Sequence, residues 1–328
     1  MMNKLGMTAM ALVLGLCFST INAWSQSTFP NYPNRPIHLI VPFPPGGAVD
    51  PIARTLAQKL EETWGQPIII DNKPGAATII GTDFVAKANP DGYTMILVST
   101  SFTVNPAAYS KLPFDPIKDF TPISLVSKLP LILVVNPQLP VKSVAELIEY
   151  LKSRPTQVNF SSIGNGTTQQ LAGELFKSMA GVNIVHVPYK GSGPSMMSVV
   201  SGETSMTFDS IFLLMPQVKA GKLRALASTG TQATPLAPDL PSVSGSGLSG
   251  FNVGSWVGLL APAATPKEIA QKWQRETALI MQMSEIRSRQ SSLGLEPIGS
   301  TQEYFGDFIK SEIAKWGAVV KQAGIQLE

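Results

Sequence analysis

Along most of the chain, short apolar runs alternate with segments whose apolar residues recur every three or four positions, and Gly- and Pro-rich stretches separate the two. Ile37 to Phe43 is one such run and ends in Pro44-Pro45-Gly46-Gly47, which predicts a buried strand followed by a turn. Asp50-Pro51 opens a stretch with Ile52, Leu56 and Leu60 at four-residue spacing. A helix is predicted there with Asp50 as N-cap and Pro51 as first helical residue. The cycle then repeats. Pro67 to Asp71 predicts a strand, Asn72 to Ala77 a loop, Ile79 to Lys87 a helix ending before Asn89-Pro90-Asp91-Gly92, and Tyr93 to Ser99 a third strand. Such alternation predicts an α/β fold built on a mostly parallel sheet covered by helices on both faces, with ligands at the carboxyl ends of the strands.

Thr121 to Asn136 predicts two strand-like runs broken at Lys128, where the chain is expected to cross into a second lobe. That lobe has its own cycle. Ser143 to Arg154 is a helix with Ser143 and Glu146 spaced as a capping box. Val158 to Ser161 is a strand, Gly164 to Thr168 a loop and Gln169 to Ala180 a helix. Ile184 to Pro188 is a strand, Gly191 to Pro194 a loop, Ser195 to Ser201 a short helix and Thr204 to Asp209 a strand. Thr229 to Gly250 is rich in Ser, Pro and Gly, and Phe251 to Ala261 returns as a strand to the first lobe. Two amphipathic helices, Pro266 to Met283 and Thr301 to Ala323, are expected to pack on that lobe. The expected domains are therefore lobe 1 at 30–127 plus 252–328, with lobe 2 inserted at 128–251.

The N-terminus changes this picture in one respect. Lys4 precedes an apolar run from Met7 to Ile21, shorter than the roughly 18 to 20 residues needed to span a bilayer and followed by Asn22, Ser25, Gln26 and Ser27. A cleavable secretory signal over residues 1–23 is expected. The single cysteine, Cys17, lies inside it, and Leu16 before it does not fit a lipoprotein site. Its removal excludes disulfides, a catalytic thiol and thiolate metal sites. The chain carries 25 basic and 22 acidic residues, a net charge of +3, and loss of the signal takes away only Lys4. With no basic arm, nucleic acid is not an expected partner. The two histidines, His38 and His186, stand apart beside strand-like runs and are read as structural, so no metal and no cofactor are expected.

Candidate chemistry gathers at the strand-to-helix loops. Pro44-Pro45-Gly46-Gly47-Ala48-Val49-Asp50 opens a helix whose first N–H groups have no intrahelical partner, which makes it either a tight structural turn or an anion site. Gly164-Asn165-Gly166-Thr167-Thr168 offers the second lobe the same choice, binding or capping. Paired across a gap, the two loops would grip both ends of a small acid. Tyr189-Lys190-Gly191-Ser192-Gly193 adds a phenol and an ammonium, and Lys190 reads equally as solvated surface. Asp209 caps, lines the cleft or holds a ligand amine. Gly245-Ser246-Gly247-Leu248-Ser249-Gly250 fits G-x-G-x-x-G in letters only, since no strand precedes it and no helix follows. A secreted hydrolase or isomerase using Asp50, Asp209 and Lys190, and a sensor subunit without a transporter, remain alternatives to a receptor that captures without chemistry.

Several of these segments follow one another in a familiar order: Pro42-Phe43-Pro44-Pro45-Gly46-Gly47 with Asp50, Asn72-Lys73-Pro74-Gly75-Ala76, Ala88-Asn89-Pro90-Asp91-Gly92-Tyr93-Thr94, Gly164-Asn165-Gly166-Thr167 and His186-Val187-Pro188-Tyr189-Lys190-Gly191. This order resembles the Bug family, periplasmic receptors of tripartite tricarboxylate transporters, over nearly the whole chain beyond the signal. The resemblance implies a two-lobed periplasmic binding protein of the Venus-flytrap type II kind. A small carboxylate would be held in the interlobe cleft, and a membrane permease would be the partner of a monomeric periplasmic receptor. It implies ligand contacts from Phe43, Pro45, Gly46, Gly47, Ala48 and Asp50 on the first loop, with Ser101 in a cleft-lining segment after the third strand. From the second lobe it implies Gly164, Gly166, Thr167, Thr168, Gln170 and Asp209, and Tyr189 and Lys190 join these as candidates from their own strand-end loop. Gln170 stands where many members carry His.

Overall fold

The computed structural model describes residues 31–46, 49–230 and 236–324; the expected signal segment, Cys17, Gly47 and Ala48 lie outside them. In chain order the first elements are β1 (Ile37–Val41), α1 (Asp50–Trp64), β2 (Ile68–Asn72), α2 (Ile79–Ala86), β3 (Thr94–Ser99) and α3 (Ser101–Ala108). A long β4 (Phe120–Val135) follows, then α4 (Val144–Lys152), β5 (Asn159–Ser162), α5 (Thr168–Ala180), β6 (Val185–Pro188), α6 (Ser192–Ser201) and β7 (Met206–Ser210). The chain closes with α7 (Ile211–Lys219), β8 (Arg224–Ser228), β9 (Gly254–Pro262), α8 (Lys267–Gln282), α9 (Ser284–Ser292), β10 (Glu296–Pro297) and α10 (Gln302–Ala323).

The strands join in the order β2-β1-β3-β9-β4-β7-β5-β6, with β8 and β10 also on β4. The two βα-rich ends are parallel: β1 pairs with β2 and β3, and β5 with β6 and β7. Between them β4 and β9 run antiparallel to their neighbours and tie the ends into one two-lobed α/β body. Thr121 to Asn136 is thus one strand and not the two runs expected. Lys128 does not break it, because Trp256 of β9 and Glu296 of β10 pair with it on either side.

The two-residue period of β4 explains its unbroken apolar second half. Leu133 and Val135 enter one core, with Phe160, Phe176, Phe208 and Phe251, while Ile132 and Val134 face a second layer containing Val199, Ile211 and Leu214. A third core holds Ile40, Ile96, Phe102, Phe120, Trp256 and Phe305 around the β1–β3 end. Helix α10 was expected to pack on the first lobe alone. Its Phe305 and Ile309 do so, but Trp316, Val319 and Val320, about two to three turns after Ile309, belong to the core with Phe176 and Phe208. Glu312 marks the change: its buried Oε2 accepts the indole N–H of Trp256 at 3.2 Å and of Trp316 at 2.8 Å, and Lys315 pairs with its other oxygen. One carboxylate is thereby tied to both cores.

Local signals set most helix ends. Ser143 caps α4, its Oγ accepting the Glu146 N–H at 3.2 Å, while the Glu146 carboxylate reaches back to the Lys142 N–H at 2.8 Å, one residue earlier than a standard capping box. Asp50 is not the N-cap of α1 as expected. Val49 holds that place and accepts the Ala53 N–H at 2.9 Å, and Asp50 lies in the first turn with its carboxylate bonded to Arg54 at 2.8 Å. An i,i+4 arginine offers a charged partner that an N-cap geometry would have forfeited.

Candidate functional site

A cavity of about 600 Å³ opens where β1, β3, β5 and β7 end and the helices following them begin. Pro42 to Gly46 and Val49 line it from one side, with Pro74, Gly75, Ala77 and Thr78. Ile163, Asn165 to Gln169, Gly191, Ser192, Asp209 and Ser210 line it from the other, and Leu129, Leu131 and Ser255 contribute from the crossing strands. A second cavity of about 300 Å³ touches the same crossing strands and shares Leu129 and Ser255.

Six helices present their N-termini to the large cavity, through Val49 for α1, Thr78 for α2, Ser101 for α3, Thr167 for α5, Gly191 for α6 and Ser210 for α7. None of the six has a capping side chain. Side-chain caps close α4 and α10, through Ser143 and Thr301, and neither residue lines the cavity. Uncapped first turns leave N–H groups and the positive ends of the helix dipoles for something else. Among the described residues the wall carries no Lys, Arg or His, and its one ionisable side chain is Asp209. The site therefore attracts anions through backbone and dipole, without a cationic side chain.

Two loops are shaped for this. Gly46 and Gly166 hold φ at +83° and +74°, backbone that L side chains rarely adopt. Gln170, buried, does not line the cavity; its Oε1 accepts the Gly166 N–H at 2.7 Å and so fixes the loop from behind. Thr167 Oγ1 donates to the Gly164 carbonyl at 2.7 Å, bracing the same turn. Opposite, Ala76, Ala77 and Thr78 hold φ of 44°, 48° and 78° in succession, a strained stretch at the start of α2. Buried Asn105 secures it, its Nδ2 donating to the Ala77 carbonyl at 2.9 Å.

Of the residues singled out from sequence, Phe43, Pro45, Gly46, Ser101, Gly166, Thr167, Thr168 and Asp209 come together on this wall. Asp50, Gly164, Gln170, Tyr189 and Lys190 stand outside it. Gly47 and Ala48 belong to the undescribed part of the first loop. Gln169, whose Nε2 donates to Asp209 Oδ1 at 3.0 Å, belongs to no sequence motif singled out above; its place one residue inside a helix opening on a Gly-rich loop is the signal available for it. Ala77 and Thr78 carry no such signal, since neither residue type announces a positive φ. His186 lies behind the second loop, bonded to Ser162 Oγ at 2.6 Å and stacked on Phe160 at 4.9 Å. Burial, helped by the Lys177 charge, lowers its pKa to about 4, which keeps it neutral and structural at neutral pH.

Comparison with known proteins places this geometry among others. The family model described as "Tripartite tricarboxylate transporter family receptor" matches residues 52–325. The protein BugT of Bordetella pertussis is 33% identical over 326 residues, covering 99% of this chain and 100% of its own. An R. palustris protein solved with adipate superimposes with a TM-score of 0.81 at 36% identity, over 90% of this chain and 99% of its own. MatC from Rhodopseudomonas palustris, solved with bound malate, gives 0.77 at 32% identity, over 88% of this chain and 100% of its own.

Proposed function

The chain belongs to the tripartite tricarboxylate transporter receptor family, and from that premise we propose that it captures a small carboxylate with an apolar body in the 600 Å³ cavity and hands it to a membrane permease. The observation that carries this reading is the convergence of six uncapped helix N-termini on a cavity with no cationic side chain among the described residues. Donors that are fixed before the ligand arrives cost little ordering on binding. Adipate and malate, held by two relatives, are both acids. Phe43, Val49, Leu129, Leu131 and Ile163, with four prolines, make most of the wall apolar, which suits a chain or ring between polar ends.

In this reading the lobes run over 30–127 plus 252–328 and over 128–251, with the end of α10 reaching into the core of the second, and ligand closes one on the other across the crossing strands near Leu129 and Ser255. Within this reading the first loop, including Gly47 and Ala48, supplies N–H donors from one side, and Asn165, Thr167 and Thr168 supply them from the other, the Gly164 and Gly166 N–H groups being held by Ser162 and Gln170. The residues set behind the wall, Gln170 among them, hold the loops in shape. Secretion through the N-terminal signal at 1–23 puts a monomeric receptor in the periplasm, beside the permease it serves.

A thermal-shift screen of metabolites at neutral pH tests this. A ligand at about a hundred times its dissociation constant adds roughly 2.7 kcal/mol, a rise of several degrees in melting temperature. Acids alone should produce the shift, with adipate and benzoate ahead of citrate. Shifts from sugars or cations would overturn the reading.

A further inference from the structure

Asp209 is the penultimate residue of β7, lies in the wall of the cavity and is 1% exposed. Its Oδ1 accepts two hydrogen bonds, from Gln169 Nε2 at 3.0 Å and from the Ser210 N–H at 2.7 Å. Its Oδ2 is buried and has no hydrogen-bond partner. A carboxylate oxygen in that position is expensive if ionised, because its charge is desolvated and nothing donates to it. As a neutral acid the same atom carries a proton and becomes a donor.

Among the described residues no cationic side chain lines the wall beside it. Elements packed against β7 carry Lys128 on β4, Glu174 and Lys177 on α5, and Lys219 on α7, and none of these lines the cavity. Glu174 and Lys177 are paired with each other at 3.0 Å. The wall side chains that interact with Asp209, Gln169 and Ser192, are neutral. Burial pushes the Asp209 proton affinity up, opposed by the hydrogen bonds from Gln169 and the Ser210 N–H; Ser192 favours the anion from nearby without reaching hydrogen-bond geometry to Oδ2. An arriving acid would add a second negative charge to a wall that already holds one, and two carboxyl groups in one dry site share a proton more readily than they both ionise.

We propose that Asp209 meets the captured acid as a neutral carboxyl, donating from Oδ2 to the ligand carboxylate, so that above the pH at which free Asp209 ionises capture takes up one proton from solvent and release returns it. This rests on the carboxylate reading above. Asp209 thereby acts as a specificity residue: it favours anions over ligands that bring an ammonium or hydroxyl donor to the same wall.

The test is calorimetric titration of the full secreted chain with adipate, malate and benzoate from pH 6.5 to 9, in wild type, Asp209→Asn and Asp209→Ala. Asparagine keeps an oxygen for Gln169 and Ser210 and places a permanent N–H donor where Oδ2 stands. In wild type the tightest acid should weaken by about tenfold per pH unit once free Asp209 ionises. Asp209→Asn should bind within about threefold of wild type at pH 6.5 and stay flat to pH 9, while Asp209→Ala, lacking the donor, should lose about tenfold or more at every pH. Circular dichroism and melting of each variant confirm the fold. An Asn variant weakened tenfold or more, or one whose pH profile parallels wild type, overturns the proposal and leaves carboxylate capture standing. Failure of all three acids to bind wild type overturns both.

Discussion

Gly166 shows how much of the site rests on single backbone positions. Its φ of +74° suits glycine, and its N–H is held by Gln170 Oε1 at 2.7 Å, which aims the following turn into the cavity. A β-branched side chain there faces about 1–3 kcal/mol of backbone strain, and the loop can escape it only by rotating. Gly166→Val should therefore bind acid at least about a hundredfold more weakly while the far-ultraviolet spectrum stays native. Retained affinity in that variant would move the site off this loop. Gly166, Thr167 and Thr168 were legible because a Gly-rich stretch lies between an apolar run and a helical period, a combination with a direct physical meaning. Gln169 and the strained Ala76 to Thr78 were not, because their roles come from partners far away in sequence: Asp209 for one, Asn105 for the other.

At the scale of elements, the second loop is only as well placed as α5, and α5 is fixed by a close approach. Gly173 lies against the Phe160 ring so tightly that a Cβ would come within 2.1 Å of a ring carbon. Alanine would gain about 1 kcal/mol of helix propensity but must displace a buried ring, an overpacking cost of about 1–3 kcal/mol. Gly173→Ala should lower the urea midpoint and weaken ligand binding, because α5 carries Thr168 and Gln169 outward as it shifts. An unchanged midpoint would mean that the ring has room to turn. The βα units at both ends of the sheet were readable from period and punctuation. The middle was not. Lys128 imitates a break in β4, yet its side chain leaves the strand at the wall of the smaller cavity while the backbone pairs on. Helix α7 carries Pro216 inside it and runs from Ile211 through Leu214 with little polar alternation, so neither it nor β8 stood out from the sequence. Helix α6 starts at Ser192, three residues before its expected start, because Pro194 sits within the first turn, where a missing N–H costs nothing.

For the whole molecule, two βα-rich ends are joined by β4, which pairs with strands of both. The crossing strands and α10, with Glu312 bonded to Trp256 and Trp316, give the ends a common frame. Alternation of strands and helices made the two-lobed α/β class legible, whereas the sharing of α10 between cores depends on where its long axis falls, which no local pattern encodes. The functional account reduces to one claim: charge on the ligand is recognised by backbone N–H groups and helix dipoles gathered from both sides of the cavity. Several charge-assisted hydrogen bonds, each worth about 1.5–3 kcal/mol, reach roughly −8 kcal/mol and a micromolar dissociation constant. Esterification leaves most of the shape and removes the charge. The most direct measurement is therefore the calorimetric affinity of the best-binding acid beside that of its methyl ester at neutral pH. The account predicts a micromolar acid and an ester weaker by about a hundredfold or more; an ester that binds within about threefold of the acid would contradict it.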